Sequence, residues 1–166
     1  MKCGGLLELR KDPHEDRERQ ICAACGWIWY NNPIPVVAAI VEHSESRDSK
    51  EPPEVVLVRS HGWPENFHGL VTGFLEKGES AEEGVVREVK EELGLSDVEL
   101  KSLIGVYEFK RQNQLIVAYH VRAFGRIVLD TKELASHRRV PIGKLRPWAA
   151  GTGKAVADFL VRRAAE

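Results

Sequence analysis

Glu88, Glu91 and Glu92 lie within one short stretch of the chain. Carboxylates so placed can hold a hard divalent cation, which prefers oxygen ligands and keeps positions open for water and phosphate. Ser80, with Glu83 three residues on, forms a capping box, and Gly94 suits a left-handed C-cap, so a helix is predicted to follow Ser80 and to run to Leu93. At about 100° per residue, Ala81, Val85, Val86, Val89 and Leu93 make one apolar arc. Glu92 falls inside that arc, between Ala81 and Val85. Glu88 sits at its edge and Glu91 further out. Glu88, Glu91 and Glu92 are spaced i, i+3, i+4, so their carboxylates can converge and repel. A bound cation would relieve that repulsion at a partly buried position. A solvated acidic face is the alternative that charge pattern alone leaves open.

The three cysteines form a second candidate centre. Cys22-Ala23-Ala24-Cys25-Gly26 has the form of one metal-binding knuckle, and Cys3-Gly4-Gly5 has the form of the second half of another, whose partner would precede Met1. His14 is a candidate fourth ligand for a closed, structural Zn²⁺ site. Free, buried thiols are the alternative. An odd number of cysteines argues against a disulfide framework.

The elements that must position these groups can be read from patterning. Residues 1–33 hold all three cysteines, show little periodicity and end at Asn31-Asn32-Pro33, so they are predicted to form a small segment apart from residues 34–166. Val36 to Val41 and Val55 to Val58 read as buried strands, joined by a mobile polar loop ending in Pro52-Pro53. Leu70 to Phe74 is a short apolar segment leading into the turn before the acidic helix. Val98 to Phe109 and Gln114 to Ala123 read as long strands, and Arg126 to Leu129 as a further short one. Ile142 to Leu145 is predicted to start a short helix, and Gly153 to Ala165 the last one. Gly151-Thr152-Gly153-Lys154 lacks the spacing of a phosphate-binding loop and reads as a cap on that helix. This order implies a mixed α/β sandwich.

With 43% apolar residues the chain has material for a core, and its net charge of −1 implies no general polyanion-binding surface. No apolar run reaches the roughly 18 residues of a membrane helix, and the start does not read as a signal peptide. A cytoplasmic location is expected, with neither a membrane nor nucleic acid as partner.

The segment Gly73 to Leu95 resembles the signature of the Nudix (MutT-like) hydrolases, G-x5-E-x7-R-E-U-x-E-E-x-G-U. Gly73, Glu79, Arg87, Glu88, Glu91, Glu92 and Gly94 match its fixed positions, and Val89 and Leu95 its aliphatic ones. The resemblance implies a Nudix α/β/α sandwich with a mixed sheet, and hydrolysis of a diphosphate linkage in a nucleoside diphosphate derivative such as a dinucleotide or ADP-ribose, with Mg²⁺ (or Mn²⁺). It implies Glu88 and Glu92 as principal metal ligands, Glu91 and the Gly73 carbonyl as further ones, and Arg87 as the group that holds the glutamates through Glu79. Glu76 could also reach metal or substrate. Glu88 or Glu91 could take the proton from water, as could Glu133 outside the signature, a candidate ligand or base. The first thirty-odd residues, with Tyr30-Asn31-Asn32-Pro33, resemble the zinc ribbon that precedes the Nudix domain in NADH-pyrophosphatase-like members.

Those members carry a Ser-Gln-Pro-Trp-Pro-Phe-type motif after the signature. Here Tyr107 to Leu115 departs from it, so NADH is not implied as substrate. Tyr107, Phe109 and Tyr119 are candidates for stacking on a base and Gln112 and Gln114 for reading its edge. Lys110 and Arg111 are candidates for phosphate contact. Trp63, Phe67 and His68 are a candidate cleft wall. A homodimer is a family-level expectation. A non-catalytic, nucleotide-sensing module is the alternative function.

Overall fold

The computed structural model describes residues 3–165 and divides the chain into two compact units, 1–33 and 34–166. In the first, β1 (Leu7–Lys11), β2 (Glu18–Cys22) and β3 (Ile28–Trp29) form an antiparallel sheet. These strands were not foreseen. They are short, and only Ile21 and Cys22 among their residues are fully buried, so they carry no apolar alternation to read.

In the second unit a six-stranded mixed sheet lies between two helices. Its strands are β4 (Ile34–Ser44), β5 (Glu54–Ser60), β6 (Val71–Phe74), β7 (Asp97–Phe109), β8 (Gln114–Phe124) and β9 (Leu134–Pro141). The order is β7-β8-β4-β5-β9, and β6 pairs with β4 as well. β4 runs parallel to β8 and antiparallel to β5 and β6. As the central strand it is apolar on both faces. Val37, Ala39 and Val41 pack towards α1 (Ala81–Leu93), while Val36, Ala38 and Ile40 pack towards α2 (Gly153–Arg163).

β4 extends through Glu42 and His43 to Ser44, past the expected start of the loop, because both polar residues find partners inside the fold. Buried Glu42 accepts hydrogen bonds from His120 Nε2 (2.8 Å) and from Arg163 Nη2 at the end of α2 (3.0 Å). His43 Nε2 donates to the Gly125 carbonyl at 2.7 Å.

Two further expectations are corrected. Arg126 to Leu129 is not a strand. It runs across the end of α1, where Val128 N–H donates to the Leu93 carbonyl (2.9 Å) and Asp130 N–H to the Glu92 carbonyl (3.0 Å). It thus satisfies helix carbonyls that have no partner within the helix. The last strand is instead β9, whose Ser136-His137-Arg138-Arg139 run hides it from pattern reading. Such charge is usual on an edge strand, where it discourages pairing with another chain. The short helix at Ile142–Lys144 is a single 3-10 turn.

Candidate active site

The capping box of α1 is present, Gly94 adopts the left-handed conformation (φ 64°, ψ 19°), and Val85, Val89 and Leu93 face the sheet. This orientation carries Glu88 and Glu92 into the fold, at 9% and 6% exposure. Glu88 lies against β6. A Cβ added at Gly73 would come 1.9 Å from the Glu88 carboxyl carbon, so only glycine leaves room there for the carboxylate.

Arg87 organises the rim. Its Nε and Nη2 donate to the two oxygens of Glu79 at 3.1 and 2.8 Å, a bidentate pair, and Nη2 also donates to the Phe74 carbonyl at 3.0 Å. Nη1 donates to Glu88 (2.7 Å) and to the more exposed Glu91 (2.9 Å). Glu79 in turn accepts the Glu76 N–H at 2.7 Å, which ties the turn to the helix.

Glu92 is different in kind. Its Oε2 is buried and has no hydrogen-bond partner among the described residues. Burial, and then the charges of Glu88, Glu133 and Asp130, push its pKa up to about 8. Burial also raises Glu88, against the opposing pull of Arg87, and Glu91 and Glu133 add to the rise. Glu133, in the turn before β9, thus adds its charge to that felt by both buried carboxylates. His61 N–H donates to its carbonyl at 3.2 Å, which holds that turn to the end of β5. Among the described residues no three glutamate oxygens lie within 4.8 Å of one another, whereas the three cysteine sulfurs do. Carboxylates without an intervening positive charge repel, and here the guanidinium draws two of them aside.

β6 separates this cluster from an apolar cleft of about 370 Å³ on the α2 face. Gly73 pairs with Val37 on the α1 side, while Thr72 pairs with Ala38 on the α2 side. Trp63, Phe67, Phe109, Gln112 and Gln114, all singled out from sequence, line the cleft, and Trp148 joins them. Trp63 and Phe67 have ring centroids 5.2 Å apart, and Trp148 meets Phe67 edge-on at 6.1 Å. Among the described residues no charged side chain lines the cleft. Trp148 was missed. Only the packing shows its place: a Cβ at Gly153 would lie 1.7 Å from the Trp148 carbonyl oxygen, so the glycine read as part of a helix cap is what allows the tryptophan loop to fold onto the helix.

Other expected residues lie elsewhere. Tyr107 donates its hydroxyl to Asp158 of α2 (2.7 Å) and Tyr119 donates to Glu82 of α1 (2.8 Å), so both anchor helices and neither lines the cleft. Lys110 pairs with Glu108 at 3.3 Å, and neither Arg111, His68 nor Glu76 lines the cleft.

In the first unit, Cys3, Cys22 and Cys25 have sulfurs within 4.8 Å of one another. Tetrahedral zinc with bonds of about 2.3 Å needs sulfurs about 3.8 Å apart, so the trio fits that ion. Backbone N–H groups of Cys25 and Ala24, and then the Cys3 side chain, lower the Cys22 thiol to about 7, which favours the thiolate a metal binds. His14 is not part of this group. Leu7 pairs with Cys22 at one end of the β1–β2 ladder and Lys11 with Glu18 at the other. His14 sits in the hairpin beyond that far end, about 13 Å along at about 3.3 Å per residue.

The site and sandwich have a family. The chain belongs to the NUDIX domain family, whose model matches residues 33–159, and residues 1–31 match the zinc-ribbon model described as Nudix N-terminal. It is 30% identical over 150 residues to an NAD-capped RNA hydrolase, NudC, of Pseudomonas aeruginosa, covering 89% of this chain and 49% of that protein. The chain thus spans about half the length of the curated relatives first matched. Among solved structures, a NUDIX hydrolase from Nitrosomonas europaea superposes with a TM-score of 0.76 at 23% identity, covering 99% of this chain and 90% of that one. An ADP-ribose pyrophosphatase from Streptococcus suis gives 0.60 at 20% identity, covering 80% and 92%. The resemblance read from Gly73 to Leu95 is borne out for family and for fold.

Proposed function

We propose that the chain is a divalent-cation-dependent pyrophosphohydrolase that cleaves the diphosphate linkage of a nucleoside diphosphate derivative, with Mg²⁺ (or Mn²⁺) as the ion. The observation that carries this is Glu92, a buried carboxylate with an unpartnered oxygen that faces the charges of Glu88 and Glu133. Folding gains nothing from such a group alone, and a cation makes it favourable. Glu88, Glu92 and the Gly73 carbonyl would hold the ion, with Glu91 and Glu133 contributing. When bound, the ion supplies charge neutralisation of the diphosphate and acidification of a water. Arg87, fixed by Glu79, positions Glu88 and Glu91. Glu133 is the candidate to accept the proton from the attacking water, because it is not drawn towards Arg87.

The nucleoside end would occupy the cleft, its planar ring against Trp63, Phe67 and Trp148 and its edge read by Gln112 and Gln114. The phosphates would then lie on the Gly73 side. The names of the relatives put ADP-ribose and NAD-capped RNA at the head of the substrate panel, beside the dinucleotides that the family resemblance implies. Capped RNA belongs there although nucleic acid was not the partner expected from composition.

The test is release of mononucleotide or phosphate from that panel with Mg²⁺. Glu88→Gln and Glu92→Gln each reduce turnover by about a hundredfold or more while circular dichroism shows the fold retained. Near-normal turnover in both variants overturns the assignment. Tight binding with no release identifies a sensing module instead.

A further inference from the structure

A cationic cluster borders the cleft on the α2 face. Val55 and Leu57 of β5 point to the α2 side, and Arg59 continues their alternation. On β9, Ser136 and Arg138 share the side of Val140, and they pair with Arg59 and Leu57 respectively. Arg59 Nε donates to Ser136 Oγ at 3.3 Å, and that oxygen lies 3.3 Å from His68 Nε2. Arg59 Nη1 also donates to the Trp63 carbonyl at 3.5 Å, and His68 lies between cleft residues Phe67 and Gly69. The cluster is thus joined to the cleft wall through chain and hydrogen bonds.

Among the described residues neither Arg59 nor Arg138 has a carboxylate partner. Burial disfavours the charged form of His68, and Arg138, Arg59 and His137 add to that effect. Arg139, next in sequence to Arg138, is by contrast paired with Glu45 and Glu54. His68 Nδ1 is buried with no hydrogen-bond partner among the described residues. Guanidinium groups presented together without acidic partners, beside a hydroxyl, match the oxygens of a phosphate.

We propose that Arg59, His68, Ser136 and Arg138 form an anion subsite for a phosphate group that the ligand carries in addition to the diphosphate being cut. The phosphate is either a monoester on the nucleoside or the diester that follows a capped nucleotide in RNA. The subsite rests on the proposed hydrolase reading only for its kinetic consequence, since binding of an anion can be read without turnover.

Inorganic phosphate is titrated into the metal-free protein while the ring signals of His68, assigned with His68→Gln, are followed by NMR. A saturable shift is expected, with affinity about tenfold weaker in Arg138→Ala, the effect of one charge-assisted contact. A shift that never saturates, or one equal in Arg138→Ala, overturns the subsite whether or not the protein is a hydrolase. In the kinetic arm, NADPH is compared with NADH, and an NAD-capped oligoribonucleotide with NAD. Arg138→Ala is expected to raise KM about tenfold more for the phosphate-bearing member of one pair. The affected pair identifies the source. Equal changes within both pairs overturn the proposal.

Discussion

At the scale of single residues, Glu92 has the most to report. Its pKa lies at about 8 in the fold against 4.5 for a free side chain. Below pH 4.5 the carboxyl is protonated whether the chain is folded or not. As pH rises further the unfolded chain releases this proton first, so the metal-free protein loses stability between about pH 4.5 and about pH 8. Glu92→Gln removes the part of that slope due to Glu92 and leaves what the raised Glu88 contributes, and Mg²⁺ or Mn²⁺ opposes the loss increasingly as pH rises. Thermal unfolding in chelator across this range, with and without the ion, is the measurement. A flat profile for the unsubstituted protein would show that Glu92 has a water or side-chain partner in solution.

At the scale of elements, β6 and α1 work as a pair. The close approach at Gly73 lets the Glu88 carboxylate lie against the strand. Gly73→Ala puts a methyl group into that space, so Glu88 must move. Overpacking of this kind costs about 1–3 kcal/mol, read as a lower denaturant midpoint. Turnover should fall further than stability, because the displaced carboxylate is a proposed ligand. If activity survives with stability lowered, Glu88 does not need its place beside Gly73. α2 is held at its far end through Arg163 and Glu42, and at its start by the close approach of Gly153 to Trp148. This anchoring places the tryptophan loop in the cleft.

For the whole molecule, the cysteine centre stands in the first unit and the carboxylates in the second. Protein purified without chelator is expected to contain about one zinc per chain, and Cys25→Ser to lower that content. Elemental analysis decides this. Zinc equally abundant in Cys25→Ser would mean that it is held elsewhere. Three thiolates leave one tetrahedral position for a ligand other than His14.

Much of the site was legible in sequence because helices obey a fixed period. Once Ser80 and Gly94 bound α1, the wheel alone put Glu92 inside the apolar arc, between Ala81 and Val85, and the structure buries it. The contact of Arg87 with Glu79 followed from the family resemblance, and the aromatic pair Trp63 and Phe67 from a short loop leading to Gly73. What spacing could not provide were meetings between distant segments. Whether Tyr107 faces a base or Asp158 depends on where α2 packs, and Arg126 to Leu129 became a helix end-piece because the end of α1 lay beside it. The edge strand β9 carries its charges where a buried strand would carry valines, so local pattern is silent there. Local hydrogen bonding and periodicity determined α1 and its carboxylates. The cleft, Trp148 and the cluster around Arg59 and Arg138 were decided only by tertiary packing, since burial and charge compensation depend on neighbours that chain order does not specify.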